Sequence, residues 1–420
     1  MTQAGLARIT ARIPQTSVLL AAALFLVGVV FWLLDAPLGI DSAVYRSGAL
    51  AVMRGEPLYG PLAATPPWSP ELPFTYPPIA AVLFAPLALL PPQVVWAVFA
   101  AASAVGLGVV LRSSLGAGLA AFALLLVPAL EPVWRTLAFG QINIVLMALV
   151  VVDVLLLRGH KASGVLVGVA AAIKLTPLIF IAHLFLTGRR QDAVRALVTF
   201  ACLNSAGFLL LPRDSITYVA SALVKGNNAT GNGWITNQSV AGVVQRLSGE
   251  AEWAFWLSAS LCLLVTALAV VLVRSALRRD DQLVALLVTA FAGLLISPIS
   301  WSHHWVWVVP LVGCLVARRR MIAAAGAAVI FVVGHGQTGI LWLDNAYVLT
   351  ALLLAGGVVA RHLTFSPRSP LLWYVPFAAG DRPWSDRGVR LAPHRRNWLL
   401  GVTGNREAQR SCSGSRADST

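Results

Sequence analysis

The chain has 420 residues, 58% of them hydrophobic and only 11% charged, with a formal net charge of +14. A mean hydropathy of +0.78 excludes an ordinary soluble multidomain protein and points to a polytopic membrane domain. Nucleic acid is excluded as the partner of the positive charge. Most arginines lie between apolar runs or beyond residue 360, where the positive-inside rule places them.

Arg8 and Arg12 precede an apolar run at 17–34. That run is too long for a signal-peptide core and has no small-residue cleavage site, so it reads as a first span. Residues 1–16 are then cytoplasmic and residues 35–77 form a first outer loop. Within the loop, 44–54 is a short amphipathic stretch suited to lie along the interface. The run at 79–90 is short and bounded by prolines, as in an interfacial or re-entrant segment. Runs at 94–111, 115–130 and 141–157 lead to Arg158 and Lys161 on the inside. The stretch 163–186 has basic residues at both ends and Lys174-Leu175-Thr176-Pro177 at its middle. It reads as two re-entrant half-helices, which membrane depth permits only where they line a cavity.

After a run at 193–211 comes a second outer loop, 212–252, rich in Asn, Gly and Ser. Further runs at 253–273, 282–297, 303–317, 321–333 and 347–359 alternate with arginine-bearing loops on the inside. The expected fold is an all-α polytopic membrane domain over 17–360, with roughly ten to twelve transmembrane helices and no internal repeat. A β-barrel is excluded because the runs do not alternate in polarity. Residues 361–420 carry ten arginines against four acids and read as a weakly structured cytoplasmic tail at an anionic leaflet.

On this topology the polar clusters gather at the outer face. Burying such groups in lipid is costly, so their shared side points to work done there. Asp41, followed by Tyr45, suits a general base if lipid and aromatic neighbours withdraw it from water; it also suits a solvated loop or a helix N-cap. Tyr76, in Phe74-Thr75-Tyr76-Pro77-Pro78, is an aromatic ring on a rigid bend, or an interfacial anchor. Gln141, Asn143, Asn237 and Gln238 are amides fit for sugar hydroxyls, or for helix caps. Lys174 is an ionisable group deep in an apolar run, with a lipid-linked phosphate as its natural partner and snorkelling as the alternative. His303 and His304, next to Trp301, suit a proton relay or a phosphate diester, or else belong to a tryptophan belt.

No phosphate-binding glycine loop, dinucleotide pattern or nucleophile elbow occurs. The outer acids form no close pair, so a metal-bound nucleotide sugar is not expected, and neither a metal nor another cofactor is implied. The four cysteines Cys202, Cys262, Cys314 and Cys412 show neither ligand nor disulfide spacing. Nucleotide sugars are confined to the cytoplasm, so a transferase at the outer face needs a donor carried on lipid.

Several stretches together resemble the actinobacterial polyprenol-phosphate-mannose-dependent α-1,2-mannosyltransferases, of the GT-C class of membrane glycosyltransferases. They are Gly39-Ile40-Asp41 through Tyr59, Leu72 through Pro78, Phe139-Gly140-Gln141-Ile142-Asn143, Ile173 through Pro177, Asn237-Gln238-Ser239 and Ser297 through Trp307. The resemblance runs from about residue 20 to 320 and does not reach the tail. It implies transfer of mannose from polyprenyl-phosphate-mannose to a phosphatidylinositol-anchored mannan at the outer face. The acceptor would be a phosphatidylinositol mannoside, lipomannan or lipoarabinomannan. The family's catalytic aspartate maps onto Asp41, and its histidine onto His303 or His304. The competing readings are a polyprenyl-phosphate-arabinose-dependent transferase, a glycolipid flippase and a non-catalytic scaffold.

Overall fold

The computed structural model describes residues 13–225, 233–249, 251, 253–336 and 338–364, all within one unit, Met1–Trp373. Residues 1–12 with Arg8 and Arg12, part of the second outer loop, and 365–420 of the tail lie outside the described residues.

The regular elements of the described residues are all helices, with no strand and one antiparallel bridge, Asn237 to Trp301. In chain order α1 is Gln15–Leu33, α2 Ile40–Arg54, α3 Pro78–Phe84, α4 Pro92–Leu115, α5 Ala117–Leu126 and α6 Glu131–Phe139. Next come α7 Asn143–Val151, α8 Val165–Ile173, α9 Leu178–Leu186, α10 Arg190–Leu210, α11 Pro212–Lys225 and α12 Val240–Ser248. The last are α13 Trp253–Leu277, α14 Gln282–Ile296, α15 Val308–Ala317, α16 Met321–Val333, α17 Leu341–Asp344 and α18 Ala346–Thr364. A 3₁₀ turn, Ser302–Trp307, leads into α15.

Helices α1, α4, α10 and α13 are each long and apolar enough to cross a membrane. α4 is mostly buried and forms the axis of the bundle; α1, α10 and α13 expose most of their apolar surface. Outward leucines and phenylalanines are what a lipid solvent selects, and the protein is a multi-pass membrane protein. Counting α5 and α6 as one bent span adds a fifth crossing; these two helices meet at 74°.

The bend has a local cause. Pro128 and Pro132 flank Leu130, whose extended backbone (φ −70°, ψ 127°) ends one helix and caps the next. The half-helix break expected near Lys174 is present too. Lys174 is extended (φ −144°, ψ 134°), because Pro177 begins the next helical segment and supplies no N–H.

Two segments read as loops between crossings hold helices. α2 begins at Ile40, ahead of 44–54, and packs into the bundle. Eight of its residues, mostly Ala, Ser, Gly and Val together with Tyr45, are buried, because small side chains let α3 and α4 pack closely around it. The stretch 212–252 holds α11 and α12, the latter started by Ser239, whose Oγ accepts from Gly242 N at 3.0 Å.

Candidate active site

Two glycines bring a carboxylate to an amide. Gly39 starts α2 with φ 76° and Gly140 ends α6 with φ 70°, conformations open to glycine at little cost. A Cβ at either position would sit 2.4 Å from Ser42 Oγ and press on the Trp96 ring. With no Cβ on either, the start of α2 closes onto the turn leading to α7. Asp41, in the first turn of α2, thereby meets Gln141 across one hundred residues of chain.

Gln141 Nε2 donates to Asp41 Oδ2 at 2.7 Å. That orients the amide, so Gln141 Oε1 faces the other way and lies 2.8 Å from the Tyr45 hydroxyl and 3.2 Å from that of Tyr76. The two hydroxyls are themselves 2.8 Å apart. Both rings are buried and meet edge to face at 5.1 Å. Burial holds the Asp41 carboxyl above its usual value of 3.8; the Gln141 bond and the Lys174 charge oppose this only in part. Its proton affinity therefore exceeds that of a solvated aspartate.

Lys174 donates to Asn143 Oδ1 at 2.8 Å, lies 3.2 Å from His304 Nε2, and stands 5.4 Å over the Tyr76 ring. Asn143 is the hub of this corner, since its Nδ2 donates to the His303 carbonyl at 3.2 Å. Thr136 Oγ1 donates to the same carbonyl at 3.1 Å. The His303 and His304 rings meet edge to face at 4.8 Å. His303 Nε2 and His304 Nδ1 are buried without a protein partner. Unsatisfied buried nitrogens in a cleft are where a ligand's oxygens would be welcome.

These groups line one cavity of about 480 Å³, a size suited to a sugar phosphate. Asp41, Tyr45, Tyr76, Gln141, Lys174, Trp301, His303 and His304 all reach it, together with Arg135, Phe139, Thr176, Tyr218, Trp234 and Thr236. Asn143 stands behind Lys174.

Asn237 and Gln238 do not line the cavity. Both are fully buried and tie loops together. Asn237 Oδ1 accepts from Ser300 N at 2.9 Å and its Nδ2 donates to Pro298 O at 3.1 Å. Gln238 Nε2 donates to Ile235 O and Asp344 O, each at 2.8 Å. In this structure both amides are engaged with backbone away from the cavity, with Gln238 Oε1 left buried and unpartnered.

Glu131 is a part that chain-order reading passed over. It is buried, accepts from Ser302 Oγ at 2.8 Å and from the Tyr347 hydroxyl at 2.9 Å, and is ion-paired with Arg135 at 2.6 Å. It holds the histidine turn and places the Arg135 guanidinium at the cavity wall, 5.9 Å from the Phe139 ring. Among the described residues no group of three or more His, Cys, Asp or Glu could hold a metal ion.

Residues 74–298 match glycosyltransferase family 87. The chain is 34% identical over 386 residues to a Mycobacterium tuberculosis protein named polyprenol-phosphate-mannose-dependent alpha-(1-2)-phosphatidylinositol mannoside mannosyltransferase; the match covers 80% of this chain and 89% of that protein. A Mycolicibacterium smegmatis protein of the same name is 36% identical over 335 residues, covering 70% of this chain and 74% of its own. A second M. tuberculosis protein, named as the corresponding pentamannoside mannosyltransferase, is 33% identical over 372 residues, covering 80% and 86%. No solved structure matches. A multi-pass helical chain whose polar residues converge on one cavity, matching the family profile over 74–298 and these relatives over most of their length, belongs to glycosyltransferase family 87 and is a glycosyltransferase.

Proposed function

We propose that this enzyme is an α-1,2-mannosyltransferase. It transfers mannose from polyprenyl-phosphate-mannose to the 2-hydroxyl of a mannose on a phosphatidylinositol-anchored glycan at the outer face of the plasma membrane. The observation that carries the reading is a part-buried Asp41 carboxylate sharing one cavity with the Lys174 ammonium and two histidines. The names borne by relatives of 33–36% identity supply the donor and the acceptor class.

In this mechanism Asp41 takes the proton of the acceptor hydroxyl as its oxygen attacks the anomeric carbon. The attack comes from the face opposite the lipid phosphate. The bond from that carbon to the phosphate oxygen breaks, its electron pair leaves with the polyprenyl phosphate, and a β-linked donor gives an α-linked product. Phosphate is already a good leaving group, so it needs charge stabilisation more than protonation. Lys174, His304 and Arg135 supply positive charge and N–H donors at the cavity wall. Gln141 holds Asp41 in place, and the Tyr45–Tyr76 pair holds Gln141.

The domain layout belongs to the same proposal: a short cytoplasmic N-terminus, a GT-C-like domain over 17–360 and a basic cytoplasmic tail. The shorter apolar helices, such as Met321–Val333 and Gln282–Ile296, complete roughly ten to twelve crossings.

The test uses purified protein in nanodiscs with radiolabelled polyprenyl-phosphate-mannose and an inositol-mannoside acceptor, comparing wild type with Asp41→Ala. Transfer by wild type and its loss in the variant support the reaction and the base together. No transfer by folded wild type, with transfer from the arabinose lipid instead, replaces the donor.

A further inference from the structure

Trp234 and Trp301 come from different loops and are 5.9 Å apart, centroid to centroid, with an interplanar angle of 45°. Both line the cavity, and Trp234 is 61% exposed, so it stands at the rim.

The pair is held from behind. Asn237 is bridged to Trp301, Gln238 N donates to Ser300 O at 2.8 Å, and Arg246 Nη1 donates to the carbonyls of Trp234 (2.8 Å) and Asn237 (2.9 Å). An exposed tryptophan in a membrane protein is most often an interfacial anchor facing lipid. Trp256 on α13, 71% exposed and outside the cavity lining, fits that description. Trp234 differs in lining the cavity that holds Asp41 and Lys174, and in having its carbonyl held by a guanidinium beside a second indole.

We infer that Trp234 and Trp301 form a stacking platform for an acceptor sugar next to the one that reacts. The inference rests on the proposed function for the identity of that sugar. Pyranose rings present a face of C–H groups, which an indole face covers while the hydroxyls at the ring edge stay in water. The donor is anchored by its phosphate among the cations beside Lys174. A glycan extending beyond the reacting mannose must leave through the open side, past Trp234. The platform therefore makes the enzyme prefer an acceptor with at least two sugars.

The test compares octyl α-mannoside with octyl α-mannobioside as acceptors, reading the ratio of their kcat/KM values. Trp234→Ala should lower the preference for the disaccharide about tenfold, roughly one stacking contact. Trp234→Phe should restore most of it, and the lipid-facing control Trp256→Ala should leave the ratio unchanged. Equal losses on both acceptors, or an unchanged ratio in Trp234→Ala, overturn the platform.

A second arm needs no donor: calorimetric binding of mannobiose to the full chain in nanodiscs should weaken about tenfold in Trp234→Ala. Wild-type binding that is absent, or unaffected by the substitution, also overturns the platform. Absent transfer with binding that still depends on Trp234 overturns the proposed donor and leaves the platform standing.

Discussion

The Asp41 carboxylate is held by a single side-chain amide and watched over by one ammonium, so its charge can be moved by either. A base must be ionised to act, and burial disfavours ionisation. The acid limb of log kcat/KM against pH should therefore fall at a pH above the 3.8 of an ordinary aspartate. Lys174 favours the ionised form, so Lys174→Met should move that limb to still higher pH, beyond its separate cost to turnover. A limb unmoved in Lys174→Met would show that another group sets it. Asp41→Asn keeps the shape and removes the proposed base, and should lower kcat roughly 100- to 10,000-fold. Near-normal turnover by Asp41→Asn would remove Asp41 from the mechanism. At this scale much of the site was legible in the sequence, because a carboxylate, a lysine and paired histidines are rare in apolar chain and costly there. Asn237 and Gln238 were not separable from Gln141 on residue type. All three are amides, and which ones turn toward backbone is decided by neighbours sixty or more residues away.

Helix ends, more than helix faces, do the positioning. Gly140 allows the turn that presents Gln141, and a methyl there meets both a positive φ and Ser42. Gly140→Ala should cost about 1–3 kcal/mol, seen as a lower Tm, with turnover falling further than stability explains. α8 is fixed at both ends. At its start the buried Asp153 accepts from Gly164 N at 2.6 Å and Val167 N at 2.9 Å; at its end stands Lys174. Asp153→Ala leaves those N–H groups without an acceptor, about 1–3 kcal/mol each. Its Tm should fall more than that of Asp153→Asn, which keeps one acceptor oxygen; equal losses would refute the capping role. The proline-bounded 79–90 segment and the half-helix turn were visible in the sequence because Pro removes a donor and fixes φ, whereas the bend at Leu130 fell at the end of an apparently unbroken run. The Glu131 bracket was not. Its partners are 171 and 216 residues away, and no local pattern announces a contact of that span.

The whole molecule keeps two kinds of polar chemistry apart. One cluster, where Arg189 and Arg195 bind Asp192 and Ser163, sits beside the basic loops that the charge rule assigns to the cytoplasm. The cavity gathers the other. In a cysteine-depleted background, a cysteine at Glu71 should react with an impermeant maleimide on intact cells. One at Arg190 should react only after permeabilisation, and the reverse pattern would invert the proposed topology. Lipid-facing runs make the apolar helices readable from sequence, whereas convergence of seven separate segments on one cavity depends on packing that hydropathy does not encode. The Gln141 amide has a consequence for proton traffic. Asp41 is backed by an amide nitrogen that gives up no proton at ordinary pH, and the tyrosine pair lies on the far side of it. In the proposed mechanism a proton collected by Asp41 is handed back to the cavity, and so to the compartment from which the acceptor came. That step would carry no charge across the bilayer, and membrane voltage would have nothing in it to act on.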